Sequence, residues 1–349
     1  MAFEVYTARR RKQKMKLFVS IPQNSRVMNR FFRPETFAYL EERFEVVYSP
    51  LTRWLKAEEI AEYAADADAI MIGWGHPMMR AKDLENTSIK LIVHTGSSVA
   101  DYVTDDVYEA GIRVISGSEL YAESVAEGAF AYMLAGLRRL PEYMGQVRNG
   151  GWTLPGEDMS QGILDQYVGI IGMGVIAKSL IKMLKPFRVK LKLYSGYPID
   201  EAYLKENDAV QASLEEIFST CRVISVHSAL NDRTKGMIGK EHFDLLQDGA
   251  IFVNTARGAI IREDEMIEAL KENRFRAVLD VFCQEPLAQD SPLRCLENVY
   301  CMPHMGGPTA DRCPNITLRL ADDMERFANG DALHYEITGD YAKRMTKQR

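Results

Sequence analysis

The chain has 349 residues, a length at which a single hydrophobic core has usually divided, so two domains of ordinary size are expected. Its hydrophobic content of 46% and charged content of 26% are those of a soluble globular protein, and no run approaches the roughly 18 apolar residues of a membrane span. A formal charge of -6 offers no general attraction to phosphate backbones, so neither membrane nor nucleic acid is expected as a partner.

Five cysteines, at 221, 283, 295, 301 and 313, form no CxxC pair and are odd in number. This argues against a disulfide framework and a structural zinc site; no metal is expected, and reduced thiols point to the cytoplasm. Arg9, Arg10, Arg11, Lys12 and Lys14 crowd the first fourteen residues without an apolar stretch, which reads as a disordered basic tail rather than a secretory signal.

From Lys16 onward short β-rich runs alternate with helical stretches, the pattern of βαβ units, so the fold class is α/β with parallel sheets. In the first part strands are expected at Lys16 to Ile21, Glu45 to Tyr48, Ala69 to Gly73, Lys90 to Thr95 and Arg113 to Ser116, with helices near 35–43 and 57–65. A long helix is expected from Ser124 to about Arg139, its start marked by Ser124 and Glu127 as a capping box, crossing into a second domain. Gly150, Gly151, Pro155, Gly156 and Gly162 then predict an extended connection. The strands beyond it, Tyr167 to Ile171, Lys190 to Tyr194, Val223 to His227, Ala250 to Asn254, Ala277 to Val281 and Val299 to Met302, are apolar throughout, as in a sheet covered on both faces.

Strand 167–171 runs into Gly172-Met173-Gly174-Val175-Ile176-Ala177, with a helix expected over 178–185. This is the strand, turn and helix order of a dinucleotide fingerprint: Gly172 for the tight turn, Gly174 for close approach of the pyrophosphate, Ala177 for helix packing on the strand. The acidic residue usual at the end of the next strand, which holds the adenosine ribose, is replaced by Ser195. A serine suits a ribose hydroxyl or a 2′-phosphate, and no arginine stands between Ser195 and Asp200, so NAD is preferred and NADP stays open.

Three further stretches follow: Val253-Asn-Thr255-Ala256-Arg257-Gly258, Leu279-Asp280-Val-Phe-Cys-Gln-Glu285-Pro286, and Met302-Pro303-His304-Met-Gly306-Gly307. Together with Gly96 to Asp101, Val125-Ala126-Glu127 and Trp152, they resemble the D-isomer-specific 2-hydroxyacid dehydrogenase family, including its phosphoglycerate dehydrogenase-like and glyoxylate/hydroxypyruvate reductase-like branches. The resemblance runs from about Met15 to about Gly330.

It implies two Rossmann-like doubly wound domains with a cleft between them: a discontinuous substrate domain, 15–117 plus 305–349, and a dinucleotide-binding domain, 118–304. It further implies reversible hydride transfer between nicotinamide and a small 2-oxo or D-2-hydroxy acid. Arg257 would pair with the substrate carboxylate and polarise the 2-oxo group, His304 would act as acid and base, and Glu285 would orient His304 and stabilise its charged form. Asp280 would touch the nicotinamide end. Met173, Val175, Ile176, His227, Thr234, Thr255, Ala256 and His304 complete the implied cofactor set, and Gly75, Ser97 and Ser98 the implied substrate loops.

Taken singly, Arg257 reads rather as a surface ion pair, Glu285 as a solvated loop charge and His304 as a satisfied polar group at a strand end. Glu285 also speaks against a formate dehydrogenase, whose family carries glutamine there. The sequence departs from the family pattern at Ser195, Arg222 and Ala229. His76 and His94 are read as ordinary polar groups. A homodimer is expected, through the long helix and the stretch 138–166; the alternative of another class is a dinucleotide-sensing corepressor-like protein with little turnover.

Overall fold

Leu17, Phe18 and Val19 have essentially no solvent exposure, because the strand they form lies inside a parallel sheet rather than at its edge. The computed structural model describes residues 14–154 and 160–346. The expected basic tail lies outside those residues except for Lys14, as do Pro155 and Gly156 of the glycine-rich connection.

Contacts divide the described residues into two units, one comprising 14–117 and 310–343 and the other 118–154, 160–309 and 344–346. The chain thus returns to the first unit at Ala310 rather than at 305, and residues 344–346 group with the second.

The first unit holds β1 (Lys16–Val19), β2 (Glu45–Tyr48), β3 (Ala69–Ile72), β4 (Leu91–His94) and β5 (Arg113–Ser116) in the order β2-β1-β3-β4-β5, all parallel. Helix Arg312–Asn329 packs on helices Arg26–Phe31 and Pro34–Arg43 and ends at Gly330, whose φ of +77° supplies the left-handed cap.

The second unit holds β6 (Tyr167–Ile171), β7 (Lys190–Tyr194), β8 (Ala209–Gln211), β9 (Val223–Val226), β10 (Ile251–Asn254), β11 (Arg276–Leu279) and β12 (Val299–Cys301). Their order, β12-β11-β10-β9-β6-β7-β8, reverses direction between β6 and β9, and all pairs are parallel. This is the doubly wound topology expected from the alternating pattern, in which ligands bind beyond the carboxyl ends of the strands at the reversal.

Two expectations are corrected. The long helix spans Ser118–Leu137, so Ser124, 5% exposed, and Glu127 lie within it and form no capping box. Its buried residues Ala122, Ser124, Ala126 and Ala129 are small enough for close packing on the sheet and on helix Val175–Leu184. The connection after it contains a second helix, Leu140–Arg148, with a proline in its first turn. Edge strand β8 was missed because two of its three residues are exposed, so it lacks an apolar run.

Candidate functional site

The carboxyl end of β6 turns sharply at Gly172, whose φ is +102°. A Cβ there would stand 2.6 Å from the Ser228 nitrogen and 2.7 Å from the His227 carbonyl carbon, so the crossing of the β6 and β9 loops admits only glycine. Gly174 differs: it caps helix Val175–Leu184, no side chain bonds to that helix start, and a Cβ on it would meet nothing within 4 Å. The first amides of the helix therefore face open space, the arrangement that receives an anion. Ala177, fully buried, lets the helix settle on the sheet.

Two buried polar atoms beyond β9 and β10 lack a partner: Nδ1 of His227 and Oγ1 of Thr255. The other nitrogen of His227 lies 2.9 Å from Oγ of Ser225, and burial pushes the imidazole down to about 4. An uncapped helix start, a glycine-lined approach and orphaned hydrogen-bonding atoms along one sheet edge fit a dinucleotide. Met173, Val175 and Ile176 are half-buried beside this turn. Ser195 directly follows β7, and its hydroxyl oxygen accepts the Tyr197 amide at 3.2 Å. Thr234 is turned to its own loop, donating to the Ala229 carbonyl at 2.6 Å.

Beyond β10, buried Asn254 closes the turn that carries Arg257: its Nδ2 donates to the Arg257 carbonyl at 3.0 Å and its Oδ1 accepts the Ala256 amide at 3.0 Å. Gly258 brings this turn against the one after β11, since a Cβ on it would fall 2.0 Å from the Phe282 carbonyl carbon and 2.3 Å from the Cys283 nitrogen. Glu285 is anchored in that second turn, its Oε1 accepting the Phe282 amide at 3.0 Å. Its Oε2 lies 2.6 Å from Nδ1 of His304. An ionised carboxylate only accepts, so Nδ1 carries the proton and Nε2 is left for exchange with a ligand. Both side chains are reachable, 35% exposed for Glu285 and 49% for His304.

Asp280 is 2% exposed, and both its oxygens are occupied by the chain itself: Oδ1 by the Met305 amide at 2.8 Å and Oδ2 by the Gly306 amide at 2.7 Å. Sequence reasoning missed this cap, along with the turn-closing role of Asn254 and the close approach that requires Gly258.

Gly75, Ser97 and Ser98 belong to the first unit, after β3 and β4. Gly75, at φ +97°, packs so closely on Trp54 that a Cβ would lie 2.5 Å from the indole nitrogen. The carbonyl of Ser97 accepts the Ser116 hydroxyl at 2.9 Å, and Oγ of Ser98 accepts the Ala100 amide at 3.3 Å. Beneath these loops lie His76 and His94, both buried; burial pushes them down to about 4 and about 3, with the neighbouring His76 adding to the shift of His94. Among the described residues no group of three His, Cys, Asp or Glu side chains is placed to hold a metal.

The second unit is thus a doubly wound dinucleotide-binding domain with an imidazole–carboxylate pair at its strand edge. The family model for the D-isomer specific 2-hydroxyacid dehydrogenase, NAD binding domain, matches residues 130–306. The glyoxylate reductase/hydroxypyruvate reductase of Homo sapiens is 29% identical over 287 residues, covering 81% of this chain and 88% of that protein. The glyoxylate reductase of Thermococcus litoralis is 31% identical over 256 residues, 71% of this chain and 77% of its own. In structure, the D-lactate dehydrogenase of Escherichia coli is similar with a TM-score of 0.66 at 25% identity, over 93% of this chain and all of that one. The chain belongs to the D-isomer specific 2-hydroxyacid dehydrogenase family.

Proposed function

We propose that this protein reduces a small 2-oxo acid to the D-2-hydroxy acid, and reverses that reaction, with NAD as cofactor. The observation that carries the reading is the 2.6 Å pair of His304 and Glu285 beside the dinucleotide edge. The turn of Gly172 and Gly174, with His227 and Thr255 along the same strand edge, would hold the dinucleotide, which would supply the hydride for the carbonyl carbon and take it back from the alcohol.

His304, protonated, gives its Nε2 proton to the carbonyl oxygen and recovers it in the reverse direction. Glu285 holds the ring by Nδ1 and stabilises the imidazolium. Arg257 offers a planar fork of donors that matches the substrate carboxylate and draws charge from the adjacent 2-oxo group. The family resemblance adds Gly75, Ser97 and Ser98 of the first unit as candidate substrate contacts. The names of two relatives, a glyoxylate reductase/hydroxypyruvate reductase and a glyoxylate reductase, support glyoxylate and hydroxypyruvate as the acids to try first.

The test is oxidation of NADH and NADPH, followed by loss of nicotinamide absorbance, against glyoxylate, hydroxypyruvate, pyruvate and bulkier 2-oxo acids, with His304→Ala alongside. Turnover lost in the variant supports the reading. Turnover retained in His304→Ala refutes the acid–base assignment, and cofactor binding without turnover of any acid favours the sensor alternative.

The same reading includes a homodimer in the cytoplasm. Leu140, Met144 and Val147 recur on one face of helix Leu140–Arg148 and are about half exposed, with Trp152 82% exposed just beyond. All five cysteines are free, as a reducing compartment keeps them.

A further inference from the structure

The turn that carries His304 adopts a backbone conformation that needs support. His304 has φ +51°, in the left-handed region that a residue with a Cβ enters at a cost. Its own amide donates back to the Met302 carbonyl at 3.0 Å, and the next two amides, of Met305 and Gly306, are the pair taken by Asp280. Backbone and carboxylate therefore fix each other: the position of the imidazole follows from the position of Asp280.

A third donor reaches that carboxylate. The hydroxyl of Tyr132, from helix Ser118–Leu137, lies 3.3 Å from Oδ1 of Asp280. One helical turn earlier on the same face, Gly128 meets the other side of the turn: a Cβ on it would stand 3.2 Å from the Gly306 oxygen and 3.3 Å from the Gly306 Cα. A Cβ on Gly306 would in turn lie 2.8 Å from Oδ2 of Asp280, so nothing bulkier fits between helix and carboxylate.

We propose that Tyr132 is a positioning residue for the reaction, acting through Asp280 on the turn that places His304. The two amides tie the carboxylate only to the turn it supports; the phenol ties it as well to a long helix that is itself packed on the sheet. The inference rests on the reading of His304 as the acid–base group.

The experiment compares wild type with Tyr132→Phe, which keeps the ring and removes only the hydroxyl. With the 2-oxo acid that wild type turns over, kcat should fall about tenfold while KM and the NADH dissociation constant stay within about twofold, since small misplacement of a reacting group affects turnover first. Independently of turnover, the cofactor-free protein labelled with 15N-histidine should show a displaced His304 ring signal in Tyr132→Phe, that signal being assigned by its loss in His304→Ala. An unchanged kcat, an unmoved His304 signal, or a fall in kcat matched by an equal loss of NADH affinity overturns the proposal. Retained turnover in His304→Ala overturns instead the acid–base reading, whatever Tyr132→Phe does.

Discussion

Oε2 of Glu285 lies 2.6 Å from Nδ1 of His304, while Oε1 of the same carboxylate is held at 3.0 Å by the amide of Phe282. The carboxylate thus has one oxygen for its own backbone and one for the imidazole, which sets the ring's orientation and leaves Nε2 outward.

Glu285→Gln keeps the shape and an oxygen for Phe282 but removes the charge that balances an imidazolium. The expected result is a fall in kcat of about a hundredfold with a much smaller change in KM for the acid. Steady-state kinetics check this, and an unchanged kcat would show that the pair has no part in turnover.

The two fingerprint glycines should respond differently. Gly172→Ala forces a Cβ onto the His227–Ser228 backbone at a positive φ, and should cost about 2–3 kcal/mol of stability, read by thermal or denaturant unfolding. Gly174→Ala meets no protein atom and should unfold like wild type, yet lower NADH affinity about tenfold by crowding the pyrophosphate, measured by fluorescence titration. Equal effects of both changes on stability would contradict this division.

Asn254→Ala leaves the Ala256 amide and the Arg257 carbonyl without their buried partner. A stability loss of about 1–3 kcal/mol is expected, together with a raised KM for the acid because the Arg257 turn loosens. Arg257→Lys should raise that KM at least about tenfold with stability intact, since an ammonium cannot present the fork. Kinetics and melting of the two variants together separate turn from side chain.

Acid should weaken the fold before carboxylates are titrated. His76, His94 and His227 are buried neutral, at about 4, 3 and 4, below the ordinary imidazole value of 6.5. The unfolded chain therefore binds more protons than the folded one between about pH 6.5 and 4, so their stability contribution is complete above that window and is lost as pH falls through it. Each imidazole should remove about 2 kcal/mol by about pH 5. A melting temperature that stays level from about pH 7 to 5 would be incompatible with this.

The exposed face of helix Leu140–Arg148 should be covered in solution. Sedimentation at micromolar concentration is expected to give twice the 39.6 kDa chain mass, and Met144→Glu with Val147→Lys to give the single mass with unchanged melting of the chain. A monomeric wild type would end the dimer reading.

Much of this protein was determined by local sequence. Apolar runs separated by helical stretches dictate parallel sheets, and Gly172, Gly174 and Ala177 mark the turn because a positive φ and an open helix start each demand a small residue at that position. Arg257, Glu285 and His304 were singled out by the resemblance of their three stretches to the family, and tertiary structure added how Glu285 and His304 pair and how the Arg257 turn is closed. Asp280 reads in the sequence as a cofactor contact, yet its oxygens cap amides 25 and 26 residues away. Tyr132 reaches it from 148 residues upstream, and nothing in the sequence of that helix distinguishes this phenol from the one on Tyr121 beforehand. The helix start at Ser118, against the capping signal at Ser124, and the exposed edge strand Ala209–Gln211 were likewise decided by packing. Local patterns report the period of burial and the backbone a residue tolerates. Hydrogen bonds between distant segments exist only once the sheet has brought its strand ends together.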